Sequence, residues 1–351
     1  MTYDLITATS MGVRLTPLDR QPVGIGSQYT MQATSAESNV LNIAASLGLK
    51  TKVLTAFVQD SPIAQFIQRE LRRRFIDFEG PHIAQDGPWG YRHQFNIADS
   101  GFGVRGPRVH NDRAGEVGRA LTAAHFDLER IFARDGARMI HFSGLFAALS
   151  PETAQLCLAL AQQARQHGTR ISFDLNHRAS FWQGREEELR AAFQRIAGMA
   201  DVLIGNEEDY QLALGIQGPA AGGHDVAGQA EEFKGMIENA RKAYPHVKVF
   251  ATTLRQVHNA KEHLWGGILW MDGQWHMAPP RSIQVLDRIG GGDGFVGGLL
   301  YGLLKGWDGE ACLRFGWATG ALAVTMQEDY ASPADEDQVW SIWAGNARVT
   351  R

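Results

Sequence analysis

Three consecutive glycines, Gly290, Gly291 and Gly292, are followed directly by Asp293 and then by an apolar, helix-patterned run to Leu304. Bare backbone at the start of a helix leaves several N–H groups unshielded. A helix N-terminus also carries partial positive charge, so the stretch is an anion site. An acid at its edge would meet that anion unfavourably unless it takes a proton from a neighbouring group. A carboxylate base beside an oxyanion-stabilising N-terminus suits phosphoryl transfer: the acid deprotonates a hydroxyl while the N–H groups hold the developing charge. The competing reading is an N-cap aspartate, with the glycines serving helix packing.

Other spacings offer different chemistry. Gly101, Gly103 and Gly106 match G-x-G-x-x-G, but Pro107 follows and no helix does. Gly292, Gly294 and Gly297 match it again and do enter a helix, which makes an NAD-dependent dehydrogenase a rival. That fold needs a second strand with an acid about 20 residues on, and "KGWDGE" leads into another helix instead. The chain has no G-x-x-x-x-G-K-[ST], C-x-x-C, H-E-x-x-H or G-x-S-x-G. His258 and His263, five apart in what reads as a polar loop, suit a surface better than a zinc site.

The elements that must position Asp293 show in the alternation of patterns. "DLITA" reads as a buried strand, "SAESNVLNIAASLGL" as an amphipathic helix stopped by Gly48, and "TKVLTAFV" as the next strand. A helix over 62–74 follows. Later come "ARMIHFSG" (strand), "SPETAQLCLALAQQARQHG" (helix) and "TRISFDLN" (strand). Helices over 185–199, from about 207 and over 227–243 interleave with "DVLIGN" and "VKVFATTL". "GGILWMDGQWHMAP" reads as a hairpin turning at Asp272-Gly273. Such alternation implies an α/β fold with a mostly parallel sheet covered on both faces. Residues 86–113 break the pattern, with short extended pieces between glycines and prolines, and fit an antiparallel insertion partnered by 13–34.

Composition narrows the class. The 351 residues are 44% hydrophobic and 21% charged, which suits a globular chain with a large core. A net charge of -4 argues against nucleic-acid binding by bulk charge. Arg72-Arg73-Arg74 is the one dense basic run and reads as a solvated helix end. Cys157 and Cys312 lie in helical patterns and read as buried free thiols. There is no signal-like start and no long apolar window, so a soluble, cytoplasmic protein without membrane partners is expected.

"DRIGGGD" is similar to the D-T-x-G-A-G-D signature of the PfkB (ribokinase-like) carbohydrate kinases, and the likeness runs along most of the chain. "DLITATSMGVRLTPLD", "SAESNVLNIAASLGLKTKVLTAF", "HFSG", "FDLNHRASFW" and "NEEDYQLALG" occur in that family's order. The chain most resembles bacterial 2-keto-3-deoxygluconate kinases. The resemblance implies a single ribokinase-like domain over 1–351, a three-layer α/β/α sandwich with a small β-sheet lid from about 12–34 and 87–113. It further implies ATP and Mg²⁺ as cofactors, a small sugar or sugar acid as partner, and a possible homodimer through the lid.

The resemblance also carries roles to residues. Asp293 matches the general base, and Gly290, Gly291 and Gly292 match the anion hole. Asn206 and Asp209 match an N-x-x-E motif that arranges Mg²⁺ and phosphate through water, with Asp in place of Glu. The "TTLR" loop, with Thr252, Thr253 and Arg255, is expected near ATP. Arg178 matches an arginine near the substrate carboxylate or the transferred phosphate, Arg113 an arginine after the lid, and Asn39 an asparagine on sugar hydroxyls. The departures gather at the acceptor end. Thr34 and Ser35 replace Gly-Gly, whose missing side chains let backbone approach the sugar. Asn96 and Asn111 fall where keto-acid kinases show tyrosines, and Gly294 follows the base in place of Ala or Ser. The phosphate end therefore follows the family pattern while the acceptor end does not. The expected reaction is ATP-dependent phosphorylation of a primary hydroxyl on a sugar or sugar acid, with 2-keto-3-deoxygluconate as one candidate acceptor. The altered acceptor end leaves open a non-catalytic sugar- or nucleotide-binding member of the fold.

Overall fold

In the computed structural model, which describes residues 2–220 and 228–348, one central sheet holds nine strands. Their order is Gln274–Gln284, Glu262–Met271, Val249–Asn259, Val202–Ile204, Arg170–Asp174, Ala137–Ser143, Tyr3–Ala8, Thr51–Leu54 and Ile76–Glu79. From Val249–Asn259 to Ile76–Glu79 every pairing is parallel. Parallel strands are buried on both faces, which is why "DLITA" and "RISF" read as near-continuous apolar runs. The hairpin at one edge turns through Asp272 and Gly273 at φ 51° and 79°, the twist-matched geometry of a two-residue loop.

Two separate cores cover the sheet, giving three layers. Pro151–Gln166, Glu186–Ala197, Glu207–Leu214 and Ala230–Ala243 pack on one face. Ala36–Ser46, Pro62–Arg73, Gly291–Lys305, Gly309–Ala323 and Glu336–Trp343 pack on the other. The helix expected over 227–243 is described from Ala230, and residue 227 lies outside the described residues. Local sequence fixes where the helices begin: Ser35, Ser61 and Ser150 accept N-terminal backbone N–H groups, and Pro62 and Pro151 follow the last two. Cys157 and Cys312 are buried and free. No helix among the described residues is long and apolar enough to cross a membrane.

A second sheet has the order Tyr29–Thr34, Gly12–Pro17, Phe95–Ala98 and Val109–Asp112. Its outer pairs are antiparallel, but Gly12–Pro17 and Phe95–Ala98 run parallel, which corrects the expectation of a purely antiparallel insertion. Between those two strands the chain crosses the main body, and it re-enters the small sheet from the same end.

Three further expectations are corrected. "TTLR" is not a loop but the interior of the strand Val249–Asn259. His258 and His263 lie on adjacent antiparallel strands, and burial beside Arg288 and Arg255 holds His263 down at about 4, so it is uncharged at neutral pH. Arg74 is buried rather than solvated. Its guanidinium donates to Asn42 Oδ1 and the Ser38 carbonyl, both at 2.7 Å, and lies 3.9 Å over the Tyr330 ring. The helix ends at Arg73, and the left-handed Phe75 (φ 56°) turns the chain there.

Candidate active site

A cleft of about 820 Å³ opens between the small sheet and the C-terminal ends of the parallel strands, the usual ligand position in such sheets. Its floor is the N-terminus of the helix Gly291–Lys305. The three glycines there do three different things. Gly290 has φ 87°, and a Cβ on it would sit 1.9 Å from the Asp329 carbonyl oxygen. Gly291 is buried against Val324, away from the cleft. Gly292 lines the cleft, and a Cβ there would meet no atom within 4 Å. The later Gly294, Gly297 and Gly298 let this helix approach Gly309–Ala323 and Ala36–Ser46 closely. Packing thus accounts for Gly290 and Gly291, while Gly292 leaves bare backbone open to the cleft.

Asp293 is half-buried, with one side open to the cleft. Asn39 Nδ2 donates to its Oδ2 at 3.0 Å. Enclosure raises its carboxyl to about 7, against the pull of the Asn39 bond; Asp329 and Glu37 push the same way as enclosure, and Arg178 opposes them. A carboxylate poised there matches the requirement for a base near neutral pH. Asn39 is itself buried, and its Oδ1 has no partner among the described residues.

At the acceptor end, Thr34 Oγ1 donates to the Asp329 carboxylate, so the residue standing where glycine was expected is engaged by an acid. Ser35 lines the cleft, but its hydroxyl caps the helix Ala36–Ser46 by accepting from Ser38 N at 3.0 Å. Asn96 and Asn111 are directly opposed across two strands. Arg113 Nη1 donates to Glu116 at 2.8 Å, and its guanidinium lies 5.1 Å over the Phe181 ring.

At the other end, Asn206 and Asp209 form a reciprocal capping box on the helix Glu207–Leu214. Asn206 Oδ1 accepts from Asp209 N and Asp209 Oδ2 from Asn206 N, both at 2.8 Å. Asp209 Oδ1 accepts a third backbone bond, from His177 N at 2.8 Å. Burial nevertheless raises Asp209 to about 6. Arg178 is exposed at the cleft, donates to the His177 carbonyl at 2.7 Å, and lowers the carboxyls of Asp174, Asp209 and Asp293. Thr253 and Arg255 line the cleft. Thr252 does not: it is wholly buried on the opposite face of the strand, so its side chain is withdrawn from any ligand.

Sequence reasoning missed Arg14, Glu37, Gln94, Asp174, Arg288 and Asp329, all of which line the cleft. Two left a trace. Arg14 is a charge amid the otherwise uncharged run "MGVRLTP", and Glu37 stands between Ser35 and Asn39. Asp329, 36 positions beyond the base, carries no local signal.

Comparison with known proteins bears on this cleft. A family model described as pfkB family carbohydrate kinase matches residues 5–336. The 2-dehydro-3-deoxygalactonokinase of Haloferax volcanii is 27% identical over 351 residues, covering 100% of each chain. The crystal structure of Thermotoga maritima 2-dehydro-3-deoxygluconokinase aligns at a TM-score of 0.87 with 26% identity, over 98% of this chain and 99% of that one. A candidate ribokinase II from E. coli, solved with ATP and Mg²⁺, shares the fold at a TM-score of 0.76 and 15% identity, over 98% and 99% of the two chains.

Proposed function

The chain belongs to the pfkB family of carbohydrate kinases, and on that premise we propose that it moves the γ-phosphoryl group of ATP to a primary hydroxyl of a deoxy keto sugar acid. The observation that carries the reading is Asp293: a carboxylate held at about 7, open to the cleft, fixed by Asn39 and placed in the first turn behind a bare glycine backbone. It takes the hydroxyl proton as that oxygen attacks phosphorus. The N–H groups at Gly290–Asp293, with Gly292 unshielded, stabilise the charge on the transferred group. Arg178, next to the His177 whose N–H donates to Asp209, is assigned to the phosphate rather than to the far end of the acceptor.

The residues suit a magnesium ion held by phosphate oxygens and water. Among the described residues no three His, Cys, Asp or Glu side chains converge as a cage, and Mg²⁺ commonly keeps several waters. Asn206 and Asp209 would orient those waters; the bound ion supplies charge neutralisation on the phosphates. Thr253 and Arg255 form the nucleotide side of the cleft. The small sheet acts as the lid that excludes water, which would otherwise compete as acceptor. Its outward face exposes Tyr29 and Met31, the surface on which a homodimer would form.

The acceptor class rests on the relatives, whose names specify dehydro-deoxy sugar acids. The test is ADP release with ATP and Mg²⁺ against 2-keto-3-deoxygluconate, 2-keto-3-deoxygalactonate and neutral ketohexoses. Turnover with the acids is expected. Turnover with neutral sugars alone would refute the acceptor class, and tight nucleotide binding without any turnover would favour the non-catalytic reading.

A further inference from the structure

The cleft-facing side of the small sheet holds buried polar atoms that none of the described residues satisfies. Arg14, on the strand Gly12–Pro17, is directly opposite Gln32 on one side and Asn96 on the other. Directly opposed residues share one face of a sheet. Arg14 and Asn96 line the cleft, so this row faces it. Gln94 lies one two-residue step away. It is almost wholly buried, lines the cleft, and folds over Gly12, where a Cβ would come within 2.2 Å of its amide.

Arg14 is 1% exposed. Its Nη2 pairs with Asp287, but Nε and Nη1 have no hydrogen-bond partner among the described residues. The same holds for Gln94 Oε1, Asn96 Oδ1 and Gln32 Nε2. A buried polar atom left unpaired carries the full cost of its lost hydration. Three residues of one cleft wall, Arg14, Gln94 and Asn96, share that deficit with Gln32 beside them, and this points to a ligand that supplies the missing partners. The set combines a cationic donor with amides that can donate or accept, and a carboxylate with a neighbouring oxygen-bearing carbon matches it.

The position fits as well. Thr34, in the row next to Arg14, touches Asp329, and Asp329 acts on Asp293. The Arg14 row is about 7 Å further along the sheet, where the far end of a six-carbon chain would lie when its terminal hydroxyl meets Asp293. Arg113, the cation that the motif suggests, also lines the cleft and has Glu116 as its ion-pair partner, but it leaves one unpartnered donor, Nε, where Arg14 leaves two.

We propose that Arg14 and Gln94, with Asn96 beside them, seat the carboxylate-bearing end of the acceptor and determine its class. This rests on the sugar-acid reading above. Two conservative variants test it. Arg14→Lys keeps a cation for Asp287 and removes the Nε and Nη1 donors. Gln94→Met keeps the volume over Gly12 and removes the amide. Each is assayed for acceptor KM with 2-keto-3-deoxygluconate and with fructose, and for ATP KM. Each variant is expected to raise the KM for the acid at least tenfold, with a smaller change for fructose and an ATP KM within twofold. An acid KM within twofold of the unaltered enzyme in both variants overturns the proposal and leaves the kinase reading intact. Should Arg14→Lys not fold, Gln94→Met decides alone, since it leaves the ion pair untouched. An unaltered enzyme that phosphorylates only neutral sugars removes the sugar-acid reading, and this inference with it.

Discussion

Replacing Asp293 by asparagine should make the protein more stable and nearly inactive at the same time. The carboxyl sits at about 7 in the folded chain, against about 4 for an ordinary aspartate. The folded state therefore binds this proton more tightly than the unfolded state does. Its stabilising contribution is complete below about pH 4 and is lost as the pH rises through 7. Three pH units at about 1.4 kcal/mol each set a ceiling of about 4 kcal/mol. Because Asp293 is only half-buried and faces the cleft, solvent screening reduces this to about 1–2 kcal/mol. Asparagine has nearly the same shape, can still accept from Asn39, and never ionises. Urea unfolding of both proteins at pH 3.5, 5.5 and 8 should give curves that nearly coincide at the lowest pH and diverge with pH, the variant being more stable by about 1–2 kcal/mol at pH 8. Its kcat should fall by about 10²–10⁴, the usual cost of losing a general base. A variant equally or less stable at pH 8 would refute the titration argument. A variant keeping more than about half of kcat would refute the base.

The unaltered enzyme should show kcat/KM rising about tenfold per pH unit below 7 and levelling above it, as the base loses its proton; a flat profile between pH 5.5 and 7 would contradict this. Gly290→Ala should lower stability by about 1–3 kcal/mol, because its Cβ would collide with the Asp329 carbonyl at a left-handed φ. Gly292→Ala should leave the melting temperature unchanged and lower kcat, because its Cβ enters only the open cleft; thermal melts and turnover on the two variants separate packing from catalysis. Arg178→Ala should cost about 1.5–3 kcal/mol in kcat/KM equally for acidic and neutral acceptors and move the acid limb to higher pH, since Arg178 lowers the Asp293 carboxyl. A loss confined to acids would move Arg178 from the phosphate to the acceptor.

The proposed phosphate end was legible because its residues are local. Gly290 to Asp293 are consecutive at one helix N-terminus, and all but Gly291 line the cleft. The layered sheet was legible for a similar reason, since buried parallel strands and capped helices each leave a pattern within ten or so residues. The acceptor end is assembled from far apart. Arg14 meets Asp287 across 273 positions and Thr34 meets Asp329 across 295, and no spacing rule connects them. Burial misled twice in the same direction. Thr252 reads like Thr253, but strand alternation sends it into the core. Arg74 reads like Arg72, but one residue of helix ending brings it under Tyr330. Asn206 and Asp209 show the reverse difficulty: the motif is present, and its side chains also cap the helix that carries them.

The pairing of Arg14 with Asp287 joins the two parts of the molecule proposed to receive the acceptor and the phosphates. Asp287 lies three residues before Gly290, and Arg20, just beyond the same small-sheet strand, donates to the carbonyls of Val285 and Leu286. The small sheet is thus tied at several points to the segment that leads into the glycine turn. If the proposed sites hold, ordering of that sheet by an acceptor would stiffen the glycine turn proposed to receive a nucleotide's phosphates, and each ligand should raise the other's affinity. Thermodynamic reciprocity requires the two enhancements to be equal. Such a kinase would favour a ternary complex over either binary one, and would spend little ATP while no acceptor is present.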